Sequence, residues 1–241
     1  MEASYTVPFL LLFIKPDYLM IRAFIQARMS SSRFPGKVLA TFRGEPIILH
    51  VLRAVKQVVC PDFIVVTTSK EISDDPLVAY LEKLGVNVFR GPLNDVFSRF
   101  RLCAAQFPCD YILRISADSP LLDAGILRKV ITHIDRETCD LITTIFPSSF
   151  PKGQNAELIR VSTLLNIDHS ELSASDLEHV TPFYYRNPSR FNIVNIESGN
   201  PKLAERNLAV DTLDDLRRIE SLSEAEIKLS FLYNSLGADL R

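Results

Sequence analysis

The sequence predicts an α/β fold, a mostly parallel sheet with helices on both faces, and three observations carry that prediction. Short β-branched runs alternate with stretches whose apolar residues recur at helical spacing. Proline or glycine marks element ends, as Pro46 does before one helical stretch and Gly85 after another. The unusual polar residues fall just after strands, where open α/β sheets collect their ligands.

The first strand is the apolar run 22–26. Behind Pro46, which suits the first turn of a helix, Ile48, Val51, Leu52 and Val55 keep the i, i+3, i+4, i+7 spacing of one helical face. The β-branched run 63–68 reads as a buried strand. Asp74, Asp75 and Pro76 open a helix that turns Leu77, Val78, Leu81 and Leu84 inward and stops at Gly85. A short strand at 86–89 follows, and Val96, Phe100, Cys103 and Phe107 mark one face of the next helix. Strand 111–116, helix 124–133 and strand 141–145 complete a βαβαβ order, which implies parallel pairing and right-handed crossovers.

A chain of 241 residues fits one large α/β domain, or a domain with a small appendage. Its formal net charge of −2 gives no support for a nucleic-acid partner, so basic clusters read as local sites. Cys60, Cys103, Cys109 and Cys139 form no C-x-x-C pair and read as reduced thiols of a cytoplasmic protein. The apolar stretch 8–14 is too short to span a bilayer and lacks the flanks of a signal peptide. Met20 immediately precedes the first core strand, so residues 1–19 read as an N-terminal extension and 20–241 as the domain.

The loop after the first strand carries Arg28, Arg33 and Lys37 around Ser30, Ser31 and Ser32. Backbone amides of such a turn form a concave anion nest, and guanidinium forks with an ammonium neutralise phosphate charge. A solvated basic turn is the plainer reading of the same cations. The P-loop pattern is excluded, because it needs glycine at Ser31 and a hydroxyl at Val38. The eight glycines also never form G-x-G-x-x-G. Asp118 follows strand 111–116, and Asp211 follows the apolar stretch 208–210. Two carboxylates at strand ends can hold one hard cation such as Mg²⁺, with phosphate oxygens and water completing its shell. The alternative is helix capping, since Asp123 and Asp211 both precede helical stretches.

Four segments in order, Gln26-Ala-Arg-Met-Ser-Ser-Ser-Arg-Phe-Pro-Gly-Lys37, Arg114-Ile-Ser-Ala-Asp-Ser-Pro-Leu121, Glu178-His-Val-Thr-Pro182 and Val210-Asp-Thr212, resemble the cytidylyltransferases. The resemblance covers about residues 20–220 and is to the spore-coat-polysaccharide type, related to the acylneuraminate and 3-deoxy-manno-octulosonate enzymes. It implies a GT-A-like nucleotidyltransferase fold, with CTP and an acidic sugar as substrates, pyrophosphate as product and Mg²⁺ as cofactor. By that likeness Arg28, Lys37, Asp118 and Asp211 are catalytic. Ala27, Ser30, Ser31, Ser32, Arg33 and Arg114 join Arg28 and Lys37 at the nucleotide, and Asp118 and Asp211 are the metal positions. Glu157, Glu178 and His179 fall on the acceptor side, although a buried helix histidine is an equal reading of His179. His50, His133 and His169 read as structural or solvated.

The chain departs from the family at Pro151-Lys-Gly-Gln-Asn-Ala-Glu157, where relatives carry an acidic Asp-Gly-x-Asp-x-Glu-like segment and Lys152 and Gln154 stand in its place. That segment borders the acceptor side, which leaves the sugar acid open. The resemblance gives 147–190 as a flap or a dimerisation arm, the latter in a homodimer. Asp95 and Arg99, four apart, read either as a surface ion pair or as a substrate contact. Two other functions compete. A GT-A glycosyltransferase normally uses an Asp-x-Asp motif, which the chain lacks, and a non-catalytic scaffold gives no reason to keep Lys37, Asp118 and Asp211 together.

Overall fold

A computed structural model of the chain describes residues 19–135 and 139–231. Apart from Leu19, the expected N-terminal extension lies outside the described residues.

In chain order the elements are β1 (Ile21–Gln26), a small antiparallel hairpin of β2 (Thr41–Phe42) and β3 (Glu45–Pro46), α1 (Ile47–Lys56), β4 (Ile64–Ser69), α2 (Asp75–Lys83), β5 (Asn87–Gly91), α3 (Val96–Gln106), β6 (Tyr111–Ser116) and α4 (Ala124–Thr132). There follow β7 (Leu141–Thr143), β8 (Glu157–Arg160), α5 (Val161–Asn166), α6 (Ala174–His179), α7 (Pro182–Arg186), β9 (Ile193–Asn195), α8 (Leu213–Glu220) and α9 (Glu224–Phe231). The main sheet has seven strands in the order β5-β4-β1-β6-β8-β7-β9. All neighbouring pairs are parallel except those of β8, which runs antiparallel to β6 and β7.

Strand alternation divides the core between the two faces of the sheet. Ala23 and Ile25 of β1 and Leu113 and Ile115 of β6 pack with α1, α2 and α4. Phe24, Val65 and Ile112 point the other way, onto α3, α5 and α7. The pattern follows from the two-residue period of a strand buried on both faces. The Phe24 and Phe100 rings meet edge to face at 5.8 Å.

The sheet order places β1 between β4 and β6, so the chain leaves β1 on one side and later returns on the other. Such a switch point opens a crevice at the carboxyl ends of the two central strands. The hairpin, α1 and α8 close one side of it through a third cluster, Phe42, Ile47, Val210, Leu216 and Ile219.

Several local expectations change. Pro46 ends β3 and caps α1 rather than lying in its first turn. Strand 141–145 is three residues long. Asp95 and Arg99 do not pair on the surface. Asp95 caps α3 through the Ser98 amide (2.8 Å) and meets His169 (2.9 Å), while Arg99 is buried and donates to the Pro92 carbonyl (3.0 Å). Within 147–190, β8 is a central strand of the sheet, and α5 and α7 pack on it through Val161, Leu164, Phe183 and Tyr184. Cys103 and Cys139 are buried and all four thiols are free; burial pushes Cys109 up to about 11.

At Gly153 the neighbouring backbone leaves no room for a side chain. Its φ is +95°, and a Cβ there would lie 2.7 Å from the Ala209 nitrogen and 2.8 Å from the Leu208 carbonyl carbon. Both obstacles are backbone, so neither can turn aside. Gly153→Ala is therefore expected to destabilise the protein by roughly 2–4 kcal/mol, a sum of left-handed strain and overpacking. Urea denaturation measures it, and an unchanged midpoint would contradict the close approach.

Candidate active site

The crevice holds a cavity of about 330 Å³, walled by the loop after β1, the end of β6, the end of α6 and Asp211. It brings together Ala27, Arg28, Ser31, Ser32, Arg33, Lys37, Arg114, Asp118, Glu178, His179 and Asp211. Of the residues singled out from the sequence, Ser30 and Glu157 are not on its wall. Gln26, Ser116 and Ala117 line it without having been foreseen. Their signal was position at the ends of β1 and β6, inside two of the segments that resemble the family.

The β1 loop is held at three points. The Ala27 amide continues the sheet onto the Thr67 carbonyl (3.0 Å), and the Gly36 amide closes the loop on the Met29 carbonyl (2.8 Å), with Gly36 in the left-handed region at φ 75°. The third point is Asp74, whose Oδ1 accepts from the Met29 amide at 2.7 Å. Its Oδ2 accepts from Thr68 Oγ1 (2.8 Å), the Ser69 amide (2.9 Å) and Ser69 Oγ. Burial pushes the Asp74 carboxyl up, but hydrogen bonds from Ser69, Met29 and Thr68 outweigh it and hold the group below its ordinary value. The sequence suggested only a helix start here.

Lys37 lies between the two predicted carboxylates. Its Nζ donates to Asp118 Oδ2 (2.8 Å), the Val210 carbonyl (2.8 Å) and Asp211 Oδ1 (3.2 Å). The Val210 amide donates to the Asp118 carbonyl at 2.8 Å, which ties the two carboxylate-bearing segments together. Asp211 is not a helix cap. Thr212 caps α8 in a capping box with Asp215, and Asp215 also accepts from the Asp211 amide (3.2 Å), leaving the Asp211 side chain free for the cavity. Asp123 does cap α4, through the Ile126 amide (2.9 Å). Arg33 reaches Asp211 Oδ1 at 3.1 Å and Lys152 reaches Oδ2 at 2.6 Å. Burial raises the Asp211 carboxyl, yet the Lys152 and Lys37 ammonium groups pull it down to about 2. Among the described residues no group of three or more His, Cys, Asp or Glu side chains gathers to hold a metal.

On the opposite wall Arg114 is fixed from behind. It donates to Glu157 and to Gln26 Oε1 (3.2 Å), and Glu157, 1% exposed, also accepts from the Tyr185 hydroxyl. Glu157 thus orients Arg114 from behind the wall. Gln154 is likewise buried, bridging the Asp123 amide (2.8 Å) and the Leu121 carbonyl (2.7 Å). At the mouth, Arg28 pairs with Glu178 at 3.3 Å. His179 is exposed on the cavity rather than buried in its helix.

The cavity thus lies at the switch point of a mostly parallel sheet, with Arg28, Arg33 and Lys37 of one loop on its wall beside Asp118 and Asp211, the placement in which open α/β sheets hold their ligands. The chain belongs to the cytidylyltransferase family, whose model matches residues 22–234, and is a CTP-dependent nucleotidyltransferase. It is 32% identical over 198 residues to an uncharacterized protein of Methanocaldococcus jannaschii, covering 80% of this chain and 79% of that protein. It is 28% identical over 205 residues to the spore coat polysaccharide biosynthesis protein SpsF of Bacillus subtilis, covering 82% and 84%. A 3-deoxy-manno-octulosonate cytidylyltransferase of Geotalea daltonii is 30% identical over 128 residues, 52% of this chain and 49% of that protein. The solved structure of a cytidylyltransferase from Leptospira borgpetersenii superposes with a TM-score of 0.80 at 27% identity, covering 87% of this chain and 90% of that one. The fold is therefore the expected nucleotidyltransferase fold.

Proposed function

We propose that the protein transfers CMP from CTP to a hydroxyl of an acidic sugar, a 2-keto sugar acid, with release of pyrophosphate, as a step in building a surface polysaccharide. The observation that carries this reading is Lys37 Nζ seated between Asp118 and Asp211 beside the cationic loop. The relatives' names, one a 3-deoxy-manno-octulosonate cytidylyltransferase and one a spore coat polysaccharide protein, support the substrate class.

In this reading Arg28, Arg33 and the Ser31 and Ser32 loop receive the triphosphate, with Arg114 held by Glu157 against the nucleotide. The acceptor hydroxyl attacks the α-phosphorus in line and gives up its proton to solvent water, while the bond to the β-phosphate oxygen breaks and its electron pair leaves with pyrophosphate. Asp118 and Asp211 suit one Mg²⁺. Two carboxylates that already converge on a single ammonium match the donor set of a hard cation that takes its remaining ligands from phosphate and water. When bound there, Mg²⁺ supplies a Lewis acid for the phosphoryl oxygens. Glu178 and His179, across the cavity, face the acceptor. No described helix is long and apolar enough to cross a membrane, and a CTP-consuming step fits the cytoplasm.

The test is pyrophosphate release from CTP, UTP, ATP and GTP, each with 3-deoxy-manno-octulosonate or N-acetylneuraminate, with Mg²⁺ or with excess EDTA. Release is expected only with CTP, a sugar acid and Mg²⁺. Equal rates with all four nucleotides, or full activity in EDTA, would sink the reading.

A further inference from the structure

Asp118 and Asp211 face more positive charge than a single lysine brings. The ammonium of Lys37 has three N–H bonds and three acceptors, Asp118 Oδ2, the Val210 carbonyl and Asp211 Oδ1. Lys152 Nζ closes on the remaining oxygen of Asp211 at 2.6 Å, and Arg33 stands 3.1 Å from the first. Both oxygens of Asp211 are thus engaged by cations. The segment bearing Lys152 is fixed to the chain just before Asp211. The Lys152 amide donates to the Arg206 carbonyl (2.9 Å), and its carbonyl accepts from the Leu208 amide (2.7 Å). Gly153 alone permits that approach. The ammonium therefore has a short, anchored reach to Asp211 even though its side chain is 53% exposed.

We propose that this site takes its divalent cation together with the nucleotide and not before it, and that Lys152 enforces the order by occupying Asp211. The proposal rests on the reading of Asp118 and Asp211 as the metal carboxylates. A free divalent ion entering the empty enzyme must displace Lys37 and Lys152 from their acceptors. It then sits beside Arg33, Lys37 and Lys152 with only two carboxylates to offset the charge. A triphosphate reverses that balance, because it brings several negative charges and gives each displaced cation a new acceptor. Metal and nucleotide are then coupled, and the coupling is reciprocal: each raises the other's affinity by the same factor. Lys37 must also let go of its acceptors, but it is 12% exposed and forms the wall itself, so it is not the group that can be removed without disturbing the site. Lys152 reaches in from the rim, so its removal takes away a competitor for Asp211 and leaves the loop intact.

The experiment is a Mn²⁺ titration of nucleotide-free protein at fixed ionic strength, following the electron paramagnetic resonance signal of free Mn²⁺. Wild type, Lys152→Gln, Lys152→Arg and the double variant Lys152→Gln/Asp211→Asn are compared, with circular dichroism as the check of folding. Lys152→Gln is expected to bind Mn²⁺ at least tenfold more tightly than wild type. Lys152→Arg, which keeps a cation on Asp211, should stay at the weak wild-type value, and the double variant should lose the gain. Equal affinity in wild type and Lys152→Gln overturns the proposal, as does a gain that survives Asp211→Asn. Failure of the proposed function shows separately, as absence of pyrophosphate release from CTP with either sugar acid, and leaves the Mn²⁺ titration readable.

Discussion

Replacing Lys37 with methionine is expected to lower pyrophosphate release from CTP by about 10²–10³-fold, the usual scale for losing one preorganised charge at a reacting phosphoryl or acyl group. Asp118→Asn should fall in the same range. The argument is geometric. Lys37 meets three converging acceptors on two chain segments, at 2.8, 2.8 and 3.2 Å. Without it Asp118, 22% exposed, loses its ammonium partner, while Asp211 keeps Arg33 and Lys152. Leaving one partly buried carboxylate uncompensated should also cost the variant stability, by about 1–3 kcal/mol. Arginine is no substitute, because a planar fork suits two parallel acceptors and not three around a point. Lys37→Arg should therefore remain at least about tenfold impaired at saturating CTP. Steady-state pyrophosphate assays on the three variants decide it, and Lys37→Met within tenfold of wild type would remove Lys37 from the chemistry.

The first half of the fold was legible because periodicity there is strong. The strand at 111–116 and the helix from Ala124 match the sequence reading closely, since buried strands and amphipathic helices write their contacts into the spacing of apolar residues. Beyond residue 145 the signal fades. β8 is four residues long and β9 three, and strands that short carry too few alternations to be read. The reversal of β8 is set by what it packs between, not by its own residues. The wall of the site was legible for Arg28, Lys37 and Asp118 as residues after the ends of β1 and β6, whereas the apolar stretch 208–210 before Asp211 is no strand, and Asp211 reaches the wall because the Val210 amide bonds to the Asp118 carbonyl. The supports behind that wall were not. Glu157 read as an acceptor contact because it fits a family segment, yet its carboxylate sits behind Arg114, a placement that depends on β6 pairing with β8. Asp95 and Arg99 satisfied helical spacing and still do not pair, because a cap and a buried carbonyl outbid a solvent-exposed ion pair worth a few tenths of a kcal/mol.

Asp74→Ala is expected to cost about 3 kcal/mol of stability and to raise the KM for CTP at least about tenfold, with a much smaller change in the KM of the sugar acid. The carboxylate is fully buried and accepts four hydrogen bonds, from the Met29 and Ser69 amides and the Thr68 and Ser69 hydroxyls. Alanine leaves those donors without their acceptor in a site water does not reach, and the two amides cannot rotate toward other partners. The Met29 amide is the one that matters for function, since it sits one residue after Arg28 in the loop that faces the cavity. Asp74→Asn separates the two effects. Its side-chain oxygen can still accept from Met29, while its amide meets the Ser69 N–H donor to donor. CTP affinity should therefore recover more than stability does. The pH dependence follows from the direction of the shift. The folded carboxyl lies below its ordinary 3.8, so its contribution is fully present above about pH 5 and is lost as the pH falls through the ordinary and then the depressed value. Urea midpoints of wild type and Asp74→Asn should differ by a constant amount between neutral pH and about pH 5, then converge on further acidification. A gap that widens in acid, or a CTP KM unchanged by Asp74→Ala, would mean that Asp74 does not hold the loop.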